Sequence, residues 1–478
     1  MKILLLYPPR ENYIFGITPH VHIDADAGFY PPIGMLYIAA VLRKDNKHDV
    51  SVLDAYTQQL SHADVAAHIK NMRPDIVGIY CSTYYLPDAL LAARSVKQAG
   101  PSIITVVGGP HVTLYPRETI RQPDVDYVMA GESENSFAEL ADCLEQKRGA
   151  DIEAITNVLT KNSPADKIIS APPVQNLDAL PLPARDLLDY RLYRSILTRR
   201  NPMTTVITSR GCPYSCNFCS NIESGKKVRY RSAGNVVDEL EQVHSSFGIS
   251  DFLFFDELFT SNKKRVHEIC DEILRRKLRI RWHCRSRADV LDRELVRHMR
   301  AAGCRLIQFG IETGSERLQK LINKNLDLSG VKETVATVYD EGIYTYADFI
   351  FGFPTETADE TERTLRFAQS LKLDYVAFGM FHPIPGSTFY DQGLKEGLFN
   401  DFWREYVVDQ KNVITDHSWT RRDRAKFHGF CSSAYKRFYL RPSYMLKKLL
   451  RTDSPAQLLW QAKSALKVFS NLFLGKFE

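Results

Sequence analysis

The sequence predicts an α/β protein with two parallel sheets in series: a doubly wound sheet over residues 1–150 and a partial (βα)6 barrel over 201–400, followed by a helical region at 401–478. Three observations carry this reading. Short apolar runs alternate with segments of helical spacing in both regions. A proline-rich stretch, 151–200, divides them, and the strand-like runs stop beyond the second region.

In the first region the apolar runs are Ile3–Leu6, Val50–Leu53, Ile76–Ile79, Ile103–Val107 and Val125–Val128, with helical spacing between them, as in Ile33 to Leu42 and Ala63 to Met72. Continuously apolar strands are those buried on both faces of a parallel sheet. Five of them make a doubly wound, Rossmann-like domain, whose ligands bind beyond the C-terminal strand ends. Pro164, Pro172, Pro173, Pro181 and Pro183 then break any long helix, so 151–200 reads as a linker. The second region offers strands at Thr204–Thr208, Asp251–Phe255, Ile280–Arg285, Leu306–Ile311, Tyr346–Phe351 and Tyr375–Phe381. Six βα units fit a partial TIM-like barrel with its chemistry at the C-terminal rim.

A length of 478 residues exceeds one ordinary core and suggests two or three domains. With 44% hydrophobic and 25% charged residues the composition is that of a soluble globular protein, and a net charge of +5 does not by itself call for nucleic acid. The opening MKILLLYPPR stops at Pro8-Pro9 without a cleavage site, so it reads as a buried strand. No apolar segment approaches the roughly 20 residues needed to span a bilayer. A cytoplasmic location is expected.

There are nine cysteines. Cys81, Cys143, Cys270, Cys284, Cys304 and Cys431 are scattered, whereas Cys212, Cys216 and Cys219 share one loop, Gly211-Cys212-Pro213-Tyr214-Ser215-Cys216-Asn217-Phe218-Cys219. That loop follows the first strand of the barrel, where rim ligands converge. Three thiolates can hold three corners of an iron–sulfur cube and leave the fourth iron bare. An open metal position is what substrate chemistry needs. The alternative is a zinc site completed by a remote residue such as His267, His283 or Cys284.

The Cys-x3-Cys-x2-Cys loop, with Phe218 before its last cysteine, resembles that of the radical S-adenosylmethionine (SAM) superfamily. The resemblance implies a [4Fe–4S] cluster whose open iron is chelated by SAM, and reductive cleavage to a 5′-deoxyadenosyl radical. It also implies SAM contacts at strand ends that recur in this order. Asp256 and Glu257 would take the ammonium group, or else cap the next helix. Arg285 would meet the carboxylate or ribose, or form a surface salt bridge. Glu312 would reach the ribose, or serve as a structural cap. Ile350 and Gly352, in Phe349-Ile350-Phe351-Gly352-Phe353-Pro354, would lie near the adenine. Pro383-Ile384-Pro385-Gly386-Ser387 would form a substrate-side loop.

In the first region, Cys81-Ser82-Thr83, Gly108-Gly109-Pro110-His111 and Gly131-Glu132-Ser133-Glu134 stand at strand ends, where glycine lets the backbone approach a ligand. Their order resembles the cobalamin-binding domain of the subfamily that includes methyltransferases and the anaerobic magnesium-protoporphyrin monomethyl ester cyclase. The resemblance implies cobalamin contacts from Ser82, Thr83, Gly108, Gly109, His111, Gly131 and Glu132. The Asp-x-His-x-x-Gly order that supplies an axial histidine is absent around His20 and His22, so an axial histidine is not expected.

The activity this implies is a cobalamin-dependent radical methyltransferase acting on an unactivated carbon of a small or lipophilic substrate. A radical cyclase on a tetrapyrrole- or lipid-like substrate is the alternative. A nucleic-acid-modifying or binding protein is a third, and the chain shows no added RNA-binding barrel. An electron donor such as flavodoxin or ferredoxin is the expected partner. From Tyr435 onward, Lys and Arg occur nine times and Asp and Glu twice, with Leu458, Leu459, Ala462, Leu466, Phe469 and Phe473 at helical spacing. Such a helix packs on the barrel as a lid, or lies peripherally on an anionic membrane.

Overall fold

The computed structural model describes residues 1–12, 28–167, 169, 173–195, 197–198, 201–220, 225–410 and 424–450. His20, His22 and the apolar run from Leu458 lie outside the described residues. Among the described residues no helix is long and apolar enough to cross a membrane.

The first sheet contains β1 (Lys2–Tyr7), β2 (Asp49–Asp54), β3 (Ile76–Tyr80), β4 (Ile104–Gly108), β5 (Tyr127–Met129) and β6 (Val158–Thr160). Their spatial order is β2-β1-β3-β4-β5-β6, parallel except for β6, which runs antiparallel to β5. The apolar runs are continuous because both faces are covered. Ile3 and Leu5 pack with Met35, Ala39 and Leu42 of α1 (Ile33–Leu42), while Leu4 and Leu6 pack with Val65 and Ile69 of α2 (His62–Met72). Strand order reverses between β1 and β3, which opens a crevice beyond their C-terminal ends.

The second sheet contains β7 (Met203–Val206), β8 (Asp251–Phe254), β9 (Arg281–Ser286), β10 (Cys304–Glu312), β11 (Tyr344–Phe351) and β12 (Tyr375–Met380), all parallel and in sequential order. Among the described residues β7 and β12 do not pair, so the barrel is open. A free strand edge exposes unpaired backbone groups. The helix Arg424–Tyr439 covers it with two hydroxyls. Tyr435 accepts from the Phe378 N–H (3.0 Å) and donates to its carbonyl (3.2 Å), and Tyr439 does the same for Val376 at 2.9 and 3.0 Å.

Two segments depart from the sequence expectation. The stretch 151–200, expected as a linker, contributes β6 to the first sheet. The helix Phe402–Val408, expected in the C-terminal helical region, buries Phe402, Trp403 and Val407 against the first domain's core. Both are short and bounded by turn residues, so periodicity alone says little about which core receives them.

The rest of 173–195 is held by a buried ionic triad. Glu239, on the barrel helix Ala233–Phe247, accepts from both Arg185 and Arg231. Arg185 also donates to the Thr204 hydroxyl (2.7 Å) and the Thr205 carbonyl (2.8 Å), and Arg231 donates to Tyr37 Oη of α1 (3.1 Å). Removing one member of such a network strands the remaining charges away from water. Glu239→Ala is expected to lower stability by ~3–5 kcal/mol in denaturant unfolding; a loss below ~1 kcal/mol would show that the triad does not hold the segment.

Candidate active site

The loop that carries Cys212, Cys216 and Cys219 is mounted on fixed points. The strand end Thr208-Ser209 before it is held by Asp256, whose fully buried carboxylate accepts from Thr208 N (2.6 Å), Thr208 Oγ1 (2.5 Å) and Ser209 Oγ (2.6 Å). Asn217 and Asn323 then tie the loop to the turn at 321–324: Asn217 N donates to the Ile322 carbonyl (2.9 Å), Asn217 Nδ2 to Leu321 (2.8 Å), and Asn323 Nδ2 to Ser215 (2.8 Å). Phe218 rests edge-on against Phe353, 5.7 Å between ring centres.

Arg210, two residues before Cys212, pairs with Glu134 (2.6 Å) and Glu132 (3.2 Å) of the first domain, and Arg229, across the short ribbon from Arg210, pairs with Glu132. The loop after β5 is thus strapped to the base of the cysteine loop. The strap accounts for the Glu132 carboxylate, which is held below the usual carboxylate range by Arg229 and Arg210 against the opposing effect of burial.

The three thiols open on a cavity of about 750 Å³ between the two domains. Cys212 and Cys216 are half-buried and Cys219 is exposed. From the barrel come Glu257, Arg285, Gln308, Glu312, Lys324 and Asp348; from the first domain come Ser82, Thr83, Tyr84, Pro110 and Leu114; Ile384, Pro385 and Trp403 close the far side.

Lys324 and Glu312 form a buried ion pair at 2.6 Å facing this space. Glu312 sits at a register shift against β11 with φ +69°, a left-handed conformation that a glutamate adopts only under constraint. A Cβ on Gly310 would come within 2.5 Å of Glu312 Oε1 and 2.6 Å of Lys324 Nζ, so the pair occupies the room a side chain would need. Arg287 stacks 3.9 Å from the Tyr214 ring in the cysteine loop, and its Nη1 is buried without a hydrogen-bond partner. Partial burial raises the Cys216 thiol pKa, while Lys324 and Arg287 act to lower it. Asp348 accepts from Gln308 Nε2 (2.7 Å), and burial first, then the Glu312 charge, push its carboxyl up to about 6.

Phe218, Glu257, Arg285 and Glu312 line the cavity, as do Ser82 and Thr83. Glu257 Oε2 accepts from Gly211 N (3.3 Å), and Arg285 lies 5.3 Å from the Phe255 ring centre. Asp256 is turned away, fully engaged as above. Ile350 joins the Phe218–Phe353 cluster, and Gly352 N donates to Glu356 (2.5 Å). Gly109 has φ +115° and its Cβ would lie 2.7 Å from the Cys81 carbonyl, so no side chain fits where β4 turns into the Pro110–Leu114 helix. Gly108 ends β4 and Gly131 N donates to Thr113 Oγ1 (2.8 Å). His111 is fully buried, neither ring nitrogen has a hydrogen-bond partner, and burial pushes its pKa down to about 3. Lys324, Arg287, Asp348 and Trp403 carry no motif of their own in the sequence; Lys324 follows the short helix Glu316–Leu321 that succeeds β10.

The donor set fits a cluster better than a single ion. Among the described residues, only His48, Asp142 and Glu145 bring ligand atoms within 4.8 Å of one another. The three thiols of one short loop can hold three corners of an iron–sulfur cube and leave the fourth iron open, whereas a structural zinc would call for a fourth ligand beside them. His283 and Cys284 are buried in β9, and His267 lies 2.7 Å from His298, so none completes a zinc site. Among the other residues that line the cavity, Ser82 Oγ and Trp403 Nε1 are buried without hydrogen-bond partners. Buried polar groups are normally satisfied, so these suit a ligand with hydrogen-bonding groups.

Residues 19–141 match the B12 binding domain family and residues 206–368 the radical SAM superfamily. The uncharacterized methyltransferase PH0819 of Pyrococcus horikoshii is 34% identical over 455 residues, covering 94% of this chain and 95% of that protein. The anaerobic magnesium-protoporphyrin IX monomethyl ester cyclase of Rubrivivax gelatinosus is 29% identical, covering 93% of this chain and 78% of that one. In fold, the chain is similar to the radical SAM methyltransferase TsrM of Kitasatospora setae, solved with cobalamin and a [4Fe-4S] cluster (TM-score 0.67, 18% identity, 83% of this chain and 78% of that one). It is also similar to OxsB, solved with aqua-cobalamin and SAM (TM-score 0.72, 16% identity, 99% and 72%). With both cofactor domains matched and identity carried along nearly the whole of a relative, the chain belongs to the cobalamin-dependent radical SAM methyltransferase family, with a [4Fe–4S] cluster, SAM and cobalamin as its cofactors.

Proposed function

We propose that this enzyme transfers a methyl group to an unactivated carbon of a small, largely apolar substrate. The observation that carries the reading is the single cavity: the cysteine loop and the ligand edge of the first sheet open on the same space. When bound, the cofactors supply a hydrogen-abstracting adenosyl radical and a methyl donor. The chain's part is placement and exclusion of water.

Cys212, Cys216 and Cys219 hold the cluster. Glu257, Arg285 and the Glu312–Lys324 pair bind and orient SAM by charge. Ser82, Thr83 and the close turn at Gly109 receive the corrinoid. Tyr84, Leu114, Ile384 and Pro385 give the substrate an apolar wall, which suits a lipophilic molecule, and one relative is named a hopanoid C-3 methylase. Gln308 and Asp348 offer one polar contact in the same cavity. A flavodoxin- or ferredoxin-class protein supplies electrons, and the basic C-terminal segment is a candidate for peripheral membrane contact from the cytoplasmic side.

Product mass tests the reading. Anaerobic turnover with methyl-labelled SAM should give a product heavier by one labelled methyl group. A product with no added carbon would favour the cyclase reading, supported by the cyclase relatives.

A further inference from the structure

We infer that Trp403, on the segment that returns from the barrel to the first domain, is part of the cobalamin site and donates its indole N–H to a carboxamide oxygen on the rim of the corrin ring. The inference rests on the cobalamin reading of the cavity and extends it to a residue outside the matched domain.

After β12 the chain runs through the helix Thr388–Lys395 and crosses back to the first domain, where the helix Phe402–Val408 packs on the helix Pro116–Ile120 and joins the domain's hydrophobic core. It is fixed there by polar contacts as well as apolar ones. Asp401, its N-cap, accepts from Tyr115 Oη (2.7 Å) and Tyr390 Oη (2.9 Å). Arg404 pairs with Glu118 at 3.0 Å. The Trp403 ring packs edge-on against Tyr84, 5.9 Å between centres, directly after Ser82 and Thr83 at the end of β3.

Trp403 is 1% exposed and lines the cavity, and its Nε1 is closed to water with no hydrogen-bond partner, so an acceptor reaches it once the indole or a neighbour shifts to admit the ligand. Leaving a buried donor unmade is unfavourable by roughly 1–3 kcal/mol, which a phenylalanine here would avoid. An indole nitrogen is a donor only, so it needs an acceptor. Ser82 Oγ, in a residue that lines the same cavity and also unpartnered, can donate or accept. A macrocycle fringed with carboxamides presents both kinds of group. Ser82 and Trp403 line the same cavity as the three cysteines, and a corrin ring that passes a methyl group to a substrate there would have to lie in that space.

The test uses the full chain, purified without corrinoid, and titrates it with hydroxocobalamin and with cobinamide, which keeps the carboxamide-bearing ring and lacks the nucleotide. Trp403→Phe should weaken both ligands about tenfold, the effect of one lost hydrogen bond. Replacing only the indole N–H by sulfur, with benzothienylalanine at this position, should do the same while keeping the ring's outline. Affinity within twofold of wild type for both ligands would overturn the inference, as would a loss confined to hydroxocobalamin, which would place the contact on the tail. Wild-type protein that bound neither ligand would remove the cobalamin reading itself; wild-type binding with unchanged variants would remove only the role of Trp403.

Discussion

Cys216→Ala is expected to abolish cluster assembly and to lower SAM cleavage by more than about 10³-fold, since the whole reaction passes through that centre. Cys216 is the middle anchor of the loop and opens on the cavity with Cys212 and Cys219. Among the described residues no cysteine beyond these three lines the cavity, and Cys284 and Cys304 are buried in β9 and β10. The cysteine loop's supports do not depend on the Cys216 thiol. Asn217 and Asn323 hold it through backbone groups, and Asp256 holds the strand end before it. Cys216→Ala should therefore fold and bind corrinoid normally while showing no iron–sulfur absorption or EPR signal. Retained cleavage activity in that variant would contradict the cluster assignment.

Lys324→Met is expected to lower stability by ~3–5 kcal/mol and to weaken SAM binding, because it leaves the largely buried Glu312 as an unpaired charge. The carboxylate has no easy escape. Its backbone is held at φ +69°, and the pair fills the space over Gly310. Removing the charge as well should relieve most of the loss, so the double variant Lys324→Met with Glu312→Gln should be more stable than Lys324→Met alone. A double-mutant cycle measures this directly: coupling of roughly 1–3 kcal/mol is expected for groups in contact. Simple additivity of the two substitutions would show that the pair is not a unit.

How much of this was legible before the structure depended on what kind of signal each residue carried. The strands of the first sheet were readable because a strand buried on both faces must be apolar throughout, and Ile3–Leu6 or Ile76–Ile79 have no other easy use; the barrel strands mix polar residues in, as in Tyr344–Phe351, and were readable mainly from their alternation with helical segments. The cysteine spacing was legible because three thiols on one short loop are rare by chance. Side-chain direction at a strand end was not. Asp256 and Glu257 are adjacent, and only the fold shows that Asp256 turns back to hold Thr208 and Ser209 while Glu257 meets the cavity. Contacts between distant parts of the chain were equally hidden. Glu132 looked like a ligand contact, and the structure pairs it with Arg229 and Arg210, 97 and 78 residues further along. Trp403 follows the barrel by some twenty residues and gives no hint, in a short helix, that it returns to the first domain.

The central claim is that one iron of a cube is left without a protein ligand and faces the cavity. The most direct measurement is the EPR and electron-nuclear double-resonance spectrum of the reduced, anaerobically reconstituted protein, with and without SAM labelled with ¹⁵N at its amino group. A [4Fe–4S]⁺ signal that changes on SAM addition and acquires coupling to the labelled nitrogen is the predicted result. Bound zinc in place of iron, or a cluster signal that SAM leaves unchanged, would contradict it.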